Sequence, residues 1–458
     1  MAEFENFLSP GRKGHLIGIG GVSMSSLAEV LAGMGLCITG SDMNEGANVE
    51  SLRKKGIPVL IGHHAENITD DVEFVVRTAA VHDDNPEIQA ARSKGVPVFE
   101  RTQAWGAISK DYANALCICG THGKTTTTSM CTHIMMAADK DPTVMIGGTL
   151  PLLKAGHRVG HGNTIIMEAC EYYNSFLSFH PTVAVILNVE ADHLDFFKDL
   201  DDVKASFHKF ARRVPKDGYV IANLDDPNTM DVVKGIDGRV ITFGLSDKAD
   251  VTAANIEFRG ANSRFEILYK GKLFTDVTLH VPGLHNVKNA LAATAACISL
   301  GVRPFAIKYG LAGFNGAGRR FEFKGKYNGA DVYDDYAHHP GELKVLLDAV
   351  EQLNYKRTVL VFQPHTYSRT AALFGDFVEQ LRRPDVVFLA EIFAAREKNT
   401  IGISSADLAK EVDGSIFCPT FDVIEDALRA IAHPGDIVLT VGAGDVYKIG
   451  ERLIEEAR

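Results

Sequence analysis

Ala115-Leu-Cys-Ile-Cys-Gly-Thr-His-Gly-Lys-Thr-Thr126 is the stretch that decides the fold. Ala115 to Cys119 form a short apolar run of strand length. Gly120, Thr121, His122, Gly123, Lys124, Thr125 and Thr126 follow at once as a Gly-rich turn, and a helical pattern takes over after them. The turn is shorter than the usual GxxxxGK[ST] loop but keeps its Gly-Lys-Thr end. A strand that delivers a Gly-rich turn to a helix N-terminus offers backbone N–H groups and the positive end of a dipole to phosphate. Lys124 can neutralise terminal phosphates, and the Thr125 hydroxyl can hold Mg2+. The loop points to a nucleoside triphosphate with Mg2+ and leaves kinase, ATPase and ligase open. Thr126, Thr127 and Thr128 crowd the first helical turn without a propensity reason.

Working outward, the chain has 458 residues, enough for roughly three domains at about 150 residues each. It carries 47 Lys and Arg against 58 Asp and Glu, a net charge of −11. Such a chain repels phosphate backbones and anionic lipid, so neither nucleic acid nor membrane is an expected partner. Hydrophobic residues at 46% and charged residues at 23% support a large core and exclude wholesale disorder. No apolar run reaches 18 residues, and Glu3 and Glu5 near the start argue against a secretory signal. Seven cysteines, with no CxxC pair, read as reduced thiols, which makes the cytoplasm the expected compartment.

Short apolar runs alternate with helical patterns along the whole chain, the signature of βαβ units. The expected class is α/β in three domains: a Rossmann-like N-terminal domain over 1–106, a P-loop ATPase-like central domain with a mostly parallel sheet over 107–316, and a Rossmann-like C-terminal domain over 317–458. In the first block, His15 to Ile17 lead into Gly18-Ile-Gly-Gly21, a helical face carries Leu27, Val30, Leu31 and Met34, and Cys37 to Thr39 end in Gly40-Ser41-Asp42. Further strands are expected at 74–76 and 96–99. In the second block, strands are expected at 164–167 and 183–187, antiparallel strands over 251–281, and a helix from Asn286 to Leu300. Gly313 to Gly318 is the expected hinge. In the third block, strands are expected at 331–333, 358–362, 386–390, 415–418 and 436–441.

Carboxylates at strand ends face the ligand crevice of a doubly wound sheet. Glu168 follows Ile165-Ile-Met167 in that way and can bind Mg2+. Glu190, Asp192 and His193 follow the next strand, in Asn188-Val-Glu-Ala-Asp-His-Leu-Asp195. His193 has two readings, a metal ligand or a cap for the next helix. Alone the cap is the commoner role, and a neighbouring phosphate loop reverses the preference. The Gly18-x-Gly20-Gly21 turn lacks the third glycine of GxGxxG, because Ser23 stands there, so alone it is a weak dinucleotide signal.

Taken together, Gly120 to Thr126, Glu168-Ala-x-Glu171, Asn188-x-Glu-x-Asp-His193, Gly283-x-His-Asn-x-x-Asn289, Asp335-Tyr-Ala-His-His-Pro340 and Gln363-Pro-His-Thr-Tyr-Ser-Arg-Thr370 resemble the Mur ligase family. The resemblance covers essentially the whole chain, in the family's order. It implies an amide ligase whose first domain binds a UDP-sugar, whose second binds ATP, and whose third binds the incoming amino acid. The N-terminal motifs resemble the branch that joins L-alanine to the lactyl carboxylate of UDP-N-acetylmuramate through an acyl phosphate. The alternative within the family adds a tripeptide to the same sugar nucleotide. Outside it, a kinase explains the phosphate loop but needs no third domain, a nicotinamide oxidoreductase explains the GxGG turn but not the phosphate loop, and a non-catalytic UDP-sugar sensor needs no working Lys124.

By resemblance, Thr125 and Glu168 are ligands of a first Mg2+ and His193 of a second. Asn286 and Asn289 read the adenine edge beside His285, Arg320 reaches the ATP phosphates, and Asp335 serves the ribose or phosphate site. Tyr336 and His338 belong to the amino-acid pocket, and Arg369 holds the alanine carboxylate through a bidentate guanidinium. The chemical step is implied to rest on Lys124, His193, His338 and Arg369. Gly18, Gly20 and Gly21 receive the UDP diphosphate, with Ser41 and Asp42 beside the uridine. Many relatives carry an acidic Asp-Glu-Ser-Asp run where this chain has Cys170-Glu-Tyr-Tyr173, and some have an Arg where Thr366 stands. No lysine suits carbamylation. The expected assembly is a monomer or weak dimer.

Overall fold

The computed structural model describes residues 3–78, 80–194, 196–395 and 397–458. Asp195, which ends the acidic stretch quoted above, lies outside them. By compactness the chain divides into two units. The first comprises 1–190, 201–252 and 291–310; the second comprises 191–200, 253–290 and 311–458.

The first unit holds two sheets. β1 (Lys13–Ile17), β2 (Cys37–Asp42), β3 (Val59–Ile61), β4 (Phe74–Arg77) and β5 (Val98–Glu100) form a fully parallel sheet in the order β3-β2-β1-β4-β5. Its helices are α1 (Val22–Gly33), α2 (Ala47–Lys54), α3 (Pro86–Ser93) and α4 (Arg101–Lys110). Gly14 makes room in this sheet: a Cβ there would lie 2.2 Å from the ring of Phe74. The second sheet is built on β6 (Asn114–Cys119), with α5 (Lys124–Ala137) leaving its end. It continues through β7 (Thr143–Leu150), β8 (Ala155–Arg158), β9 (Thr164–Glu168), β10 (Val183–Ile186), β11 (Tyr219–Asn223) and β12 (Arg239–Gly244). Strands run β12-β11-β10-β6-β9-β7-β8, all parallel except β8, which turns back on β7. β13 (Val251–Arg259) begins beside β12 and pairs with it in parallel.

In the second unit, β14 (Asn262–Tyr269) and β15 (Lys272–Leu279) are antiparallel, as expected. The third sheet comprises β16 (Glu322–Tyr327), β17 (Ala330–Asp335), β18 (Arg357–Phe362), β19 (Val386–Ala390), β20 (Ile416–Cys418) and β21 (Asp436–Val441). Its order is β16-β17-β21-β18-β19-β20, parallel apart from β16. Both faces of this sheet are buried. Leu360 and Phe362 pack with Leu343, Leu347 and Phe377 on one side. Val359 and Val361 pack with Ile424, Leu428 and Ile449 on the other. A strand covered on both faces reads as an unbroken apolar run, which is what Val359 to Phe362 present.

The seven cysteines are all free thiols. Among the described residues, no helix is long and apolar enough to cross a membrane.

Candidate active site

The phosphate loop is clasped by the end of β10. Asn188 accepts from the His122 N–H at 2.7 Å and donates back to the His122 carbonyl at 3.1 Å. The Thr121 N–H donates to the Asn188 carbonyl at 3.1 Å, and the Thr121 hydroxyl accepts from the Glu190 N–H at 2.9 Å. Gly120 lies so close to Leu187 that a Cβ would stand 2.8 Å from the leucine Cβ. Gly123 takes φ 86° at the start of α5, and no side chain caps that helix end. Backbone donors at this end are thus left for an anion. The threonine crowding finds its reason farther along the helix. Thr127, Thr128, Ser129 and Thr132 are buried, and the last three hydroxyls bond back to the carbonyls of Lys124, Thr125 and Thr128 at 2.8 Å.

Lys124 folds onto its own loop. Its ammonium donates to the Gly120 and Thr121 carbonyls and, at 3.1 Å, to both oxygens of Glu171, a nearly fully buried carboxylate. Burial alone would lower the pKa of Lys124, but Glu171, with Cys170 and Glu168 behind it, raises it above the ordinary lysine value. Glu171 is therefore a site residue whose part the sequence left unassigned. Thr125 and Glu168 come together as expected, with the hydroxyl 3.1 and 3.0 Å from the two carboxylate oxygens. A hydroxyl and a carboxylate are the hard oxygen donors that Mg2+ selects, so the pair fits that ion.

The first sheet carries the second predicted anion turn. Gly18 and Ile19 donate to the Ser41 carbonyl at 2.8 and 3.0 Å, and Gly20 donates to the Asp42 carboxylate at 2.9 Å. Asn48, not singled out from sequence, donates to the Gly20 carbonyl at 2.8 Å. Gly21 caps α1 without a side-chain bond. The Ser41 side chain does not join this turn. It is fully buried on the inner face of β2 and donates to Glu87 at 2.7 Å, inside a cluster with His63 and Asn67. Strand alternation turns the Ser41 hydroxyl inward while Asp42 faces the turn.

The second unit holds the remaining predicted residues, two neighbouring arginines among them. Arg319 is locked: it reaches Asp334 at 2.9 Å and the carbonyls of Gly442 and Gly444, and lies over the rings of Tyr336 and Tyr447. Arg320 lies over the Tyr336 ring at 5.1 Å and acts electrostatically on Asp335. Asp335 accepts from the Phe321 and Ala337 N–H groups, and burial raises its carboxyl to about 6 against the pull of Arg320. Asn286 and Asn289 are hydrogen-bonded to one another at 3.3 Å at the start of the helix Leu284–Ser299, and Asn286 also donates to the Pro282 carbonyl.

Arg369, expected to hold the alanine carboxylate, is paired here with a protein carboxylate: its guanidinium meets Asp192 at 3.1 Å, with both side chains mostly buried. Burial pushes the Asp192 carboxyl up, but Arg369, His193 and His339 outweigh that and hold it well below the usual range. His193 adopts a left-handed φ of 54° and its ring nitrogen lies 3.7 Å from Asp192. His338 directs Nδ1 to the Tyr336 carbonyl at 3.0 Å and to Glu342 at 3.2 Å, and burial lowers its pKa to about 4. The ring is therefore neutral near pH 7, with its proton on Nδ1 and a lone pair on Nε2. His365, quoted in a motif but given no role, packs between His338 and Phe393 and lies 3.3 Å from Arg369. Thr366 takes a left-handed φ of 67°, a strained conformation for a β-branched residue.

Profiles of one family match three successive stretches: Mur ligase family, catalytic domain, at 13–113; Mur ligase middle domain at 118–297; and Mur ligase, glutamate ligase domain, at 319–444. The chain belongs to the Mur ligase family. Among curated Mur ligases, it is 46% identical over 448 residues to the UDP-N-acetylmuramate–L-alanine ligase of Acetivibrio thermocellus, covering 96% of this chain and 95% of that one. It is equally similar to the ligase of the same name from Clostridium novyi, over 98% of this chain and 99% of that one. Among solved structures, MurC of Thermotoga maritima matches with a TM-score of 0.81 at 30% identity, covering 97% of this chain and 99% of that one. A murein peptide ligase from Psychrobacter arcticus shares the fold of this Mur ligase, with a TM-score of 0.74 at 23% identity over 97% of this chain and 98% of that one.

Proposed function

We propose that this Mur ligase is a UDP-N-acetylmuramate–L-alanine ligase, an ATP-dependent enzyme of peptidoglycan precursor synthesis. The observation that carries the reading is 43–46% identity, over nearly the full length, to curated ligases of that name. The tripeptide-adding alternative is not favoured, since the murein peptide ligases among the solved structures stand at 23 and 27%.

In this reading residues 1–106 bind the UDP-sugar, 107–316 the nucleotide and 317–458 the amino acid. The turn at Gly18, Gly20 and Gly21 receives the diphosphate, with Asp42 and the Ser41 carbonyl holding its shape. The loop from Gly120 to Thr126 receives the ATP phosphates, and Lys124 leaves Glu171 to neutralise them. Asn286 and Asn289 meet the adenine, while Arg320 and Asp335 complete the nucleotide site. Thr125 and Glu168 would hold one Mg2+ and His193 a second, and the ion supplies screening between two anions that must meet. A lactyl carboxylate oxygen takes the γ-phosphoryl group and ADP departs. The L-alanine amine then adds to the acyl carbon, and the tetrahedral intermediate expels phosphate. Arg369 exchanges Asp192 for the alanine carboxylate, beside Tyr336. His338 lines the same amino-acid pocket as a neutral ring beside Tyr336.

Lys124→Ala separates this ligase from a UDP-sugar sensor. Sugar-nucleotide binding, measured by calorimetry, survives in the variant while turnover vanishes. A wild-type chain that binds the sugar nucleotide but turns nothing over is a sensor.

A further inference from the structure

The hairpin β7–β8 entered none of the expectations above, yet it touches both Glu168 and α1. From its inner strand, the Gly147 N–H donates to Glu168 Oε2 at 2.8 Å. The carboxylate is thus fixed from two sides, by Gly147 and by the Thr125 hydroxyl. A Cβ on Gly147 would stand 2.7 Å from Glu168 Oε1 and 3.0 Å from both Cδ and Oε2. Gly147 is not among the residues with positive φ, so its backbone tolerates a side chain. A side chain there would push the Glu168 carboxylate out of its place.

From its outer strand, His157, paired with Met145 two residues before Gly147, grips α1. Its Nδ1 is 3.1 Å from the Ser26 hydroxyl and its Nε2 is 2.7 Å from Glu29. The Ser26 hydroxyl also donates to the Val22 carbonyl, in the first turn of the same helix. Gly33, at the far end of α1, lies against Val159, where a Cβ would come within 3.0 Å. Asp141 and the Pro142 carbonyl hold Arg158 at the base of the hairpin. The hairpin is therefore a braced strut. Its inner strand meets, at Gly147, the carboxylate that ends β9, and its outer strand is bound to the helix that opens from the Gly18–Gly21 turn.

We propose that the β7–β8 hairpin is the positioning element of Glu168, with Gly147 setting the place of the carboxylate and His157 anchoring the strut. The proposal rests on the nucleotide-and-metal reading of the site. Outer residues that orient a metal ligand change metal affinity by about 10–100-fold when altered.

The test compares wild type with Gly147→Ala and His157→Ala by ADP calorimetry, with Mg2+ and with EDTA, and by Mn2+ titration followed by electron paramagnetic resonance. Gly147→Ala is expected to weaken Mn2+ binding at least tenfold and to abolish most of the gain that Mg2+ gives to ADP affinity. ADP affinity in EDTA and the melting temperature should stay near wild type. His157→Ala is expected to act in the same direction by a few-fold, and it tests the strut even if Gly147→Ala fails to fold. Wild-type Mn2+ affinity in both variants overturns the proposal and leaves the functional reading standing. A wild-type chain that binds neither ADP nor Mn2+ overturns the functional reading and the proposal with it.

Discussion

Glu171→Gln removes one charge from the phosphate loop and keeps the shape. The Lys124 ammonium lies 3.1 Å from Glu171, and the two side chains are 14% and 3% exposed. At an effective dielectric constant near 20, that separation corresponds to about 5 kcal/mol of Coulomb attraction. The Gly120 and Thr121 carbonyls still receive the ammonium after substitution. The expected loss in the nucleotide-free protein is therefore about 3 kcal/mol, the low end for breaking a buried pair. A bound nucleotide supplies the missing negative charge. In the wild type its phosphates compete with Glu171 for Lys124; in the variant they do not. Glu171→Gln should thus melt at a lower temperature when empty, gain more from saturating ADP, and bind ADP more tightly by about tenfold, a change of about 1.4 kcal/mol. Thermal melts with and without ADP, followed by calorimetric titration, read all three quantities. A folded variant that binds ADP no more tightly than wild type refutes the competition.

Arg369→Lys keeps a cation beside Asp192 but loses the planar fork, so the KM for L-alanine should rise about tenfold or more while the KM for ATP holds, in steady-state assays. Asn188→Ala removes both side-chain bonds to the His122 backbone, worth about 1 kcal/mol each. ADP affinity should fall by about tenfold or more in calorimetry, with sugar-nucleotide affinity unchanged. Burial holds His285, His338 and His365 at about 4, below their ordinary 6.5. The unfolded chain takes up protons in that window that the folded chain refuses, so stability should fall as pH drops from about 6.5 to 4 and lose no more from these groups below it. Asp335, raised to about 6, acts in the opposite sense between about 6 and 3.8. His285→Gln should flatten the decline in melting temperature across the upper window.

The loop from Gly120 to Thr126 was legible because its function lies in backbone conformation, and glycine spacing records backbone conformation directly. The strand of Val359 to Phe362 was legible because both of its faces are covered, which leaves an unbroken apolar run. The β7–β8 hairpin was not, because Gly147, Gly148 and Gly156 interrupt any alternation and its role is to approach a carboxylate. β3 escaped notice because three residues carry no period. The side chain of Ser41 was expected beside the sugar nucleotide, and only the pairing of β2 shows that it faces Glu87. Arg369 was expected to hold the alanine carboxylate, and the motif did not reveal its pairing with Asp192. Arg319 and Arg320 are chemically identical in sequence. They differ because Arg319 is held by Asp334, two carbonyls and two aromatic rings that lie 14 or more positions away.

Phosphate release from ATP and Mg2+, with UDP-N-acetylmuramate present and amino acids supplied one at a time, tests the central claim most directly. Release should require both the sugar nucleotide and L-alanine, with a product whose mass matches the amide. Release that requires the tripeptide instead, or that proceeds without an amine, contradicts it.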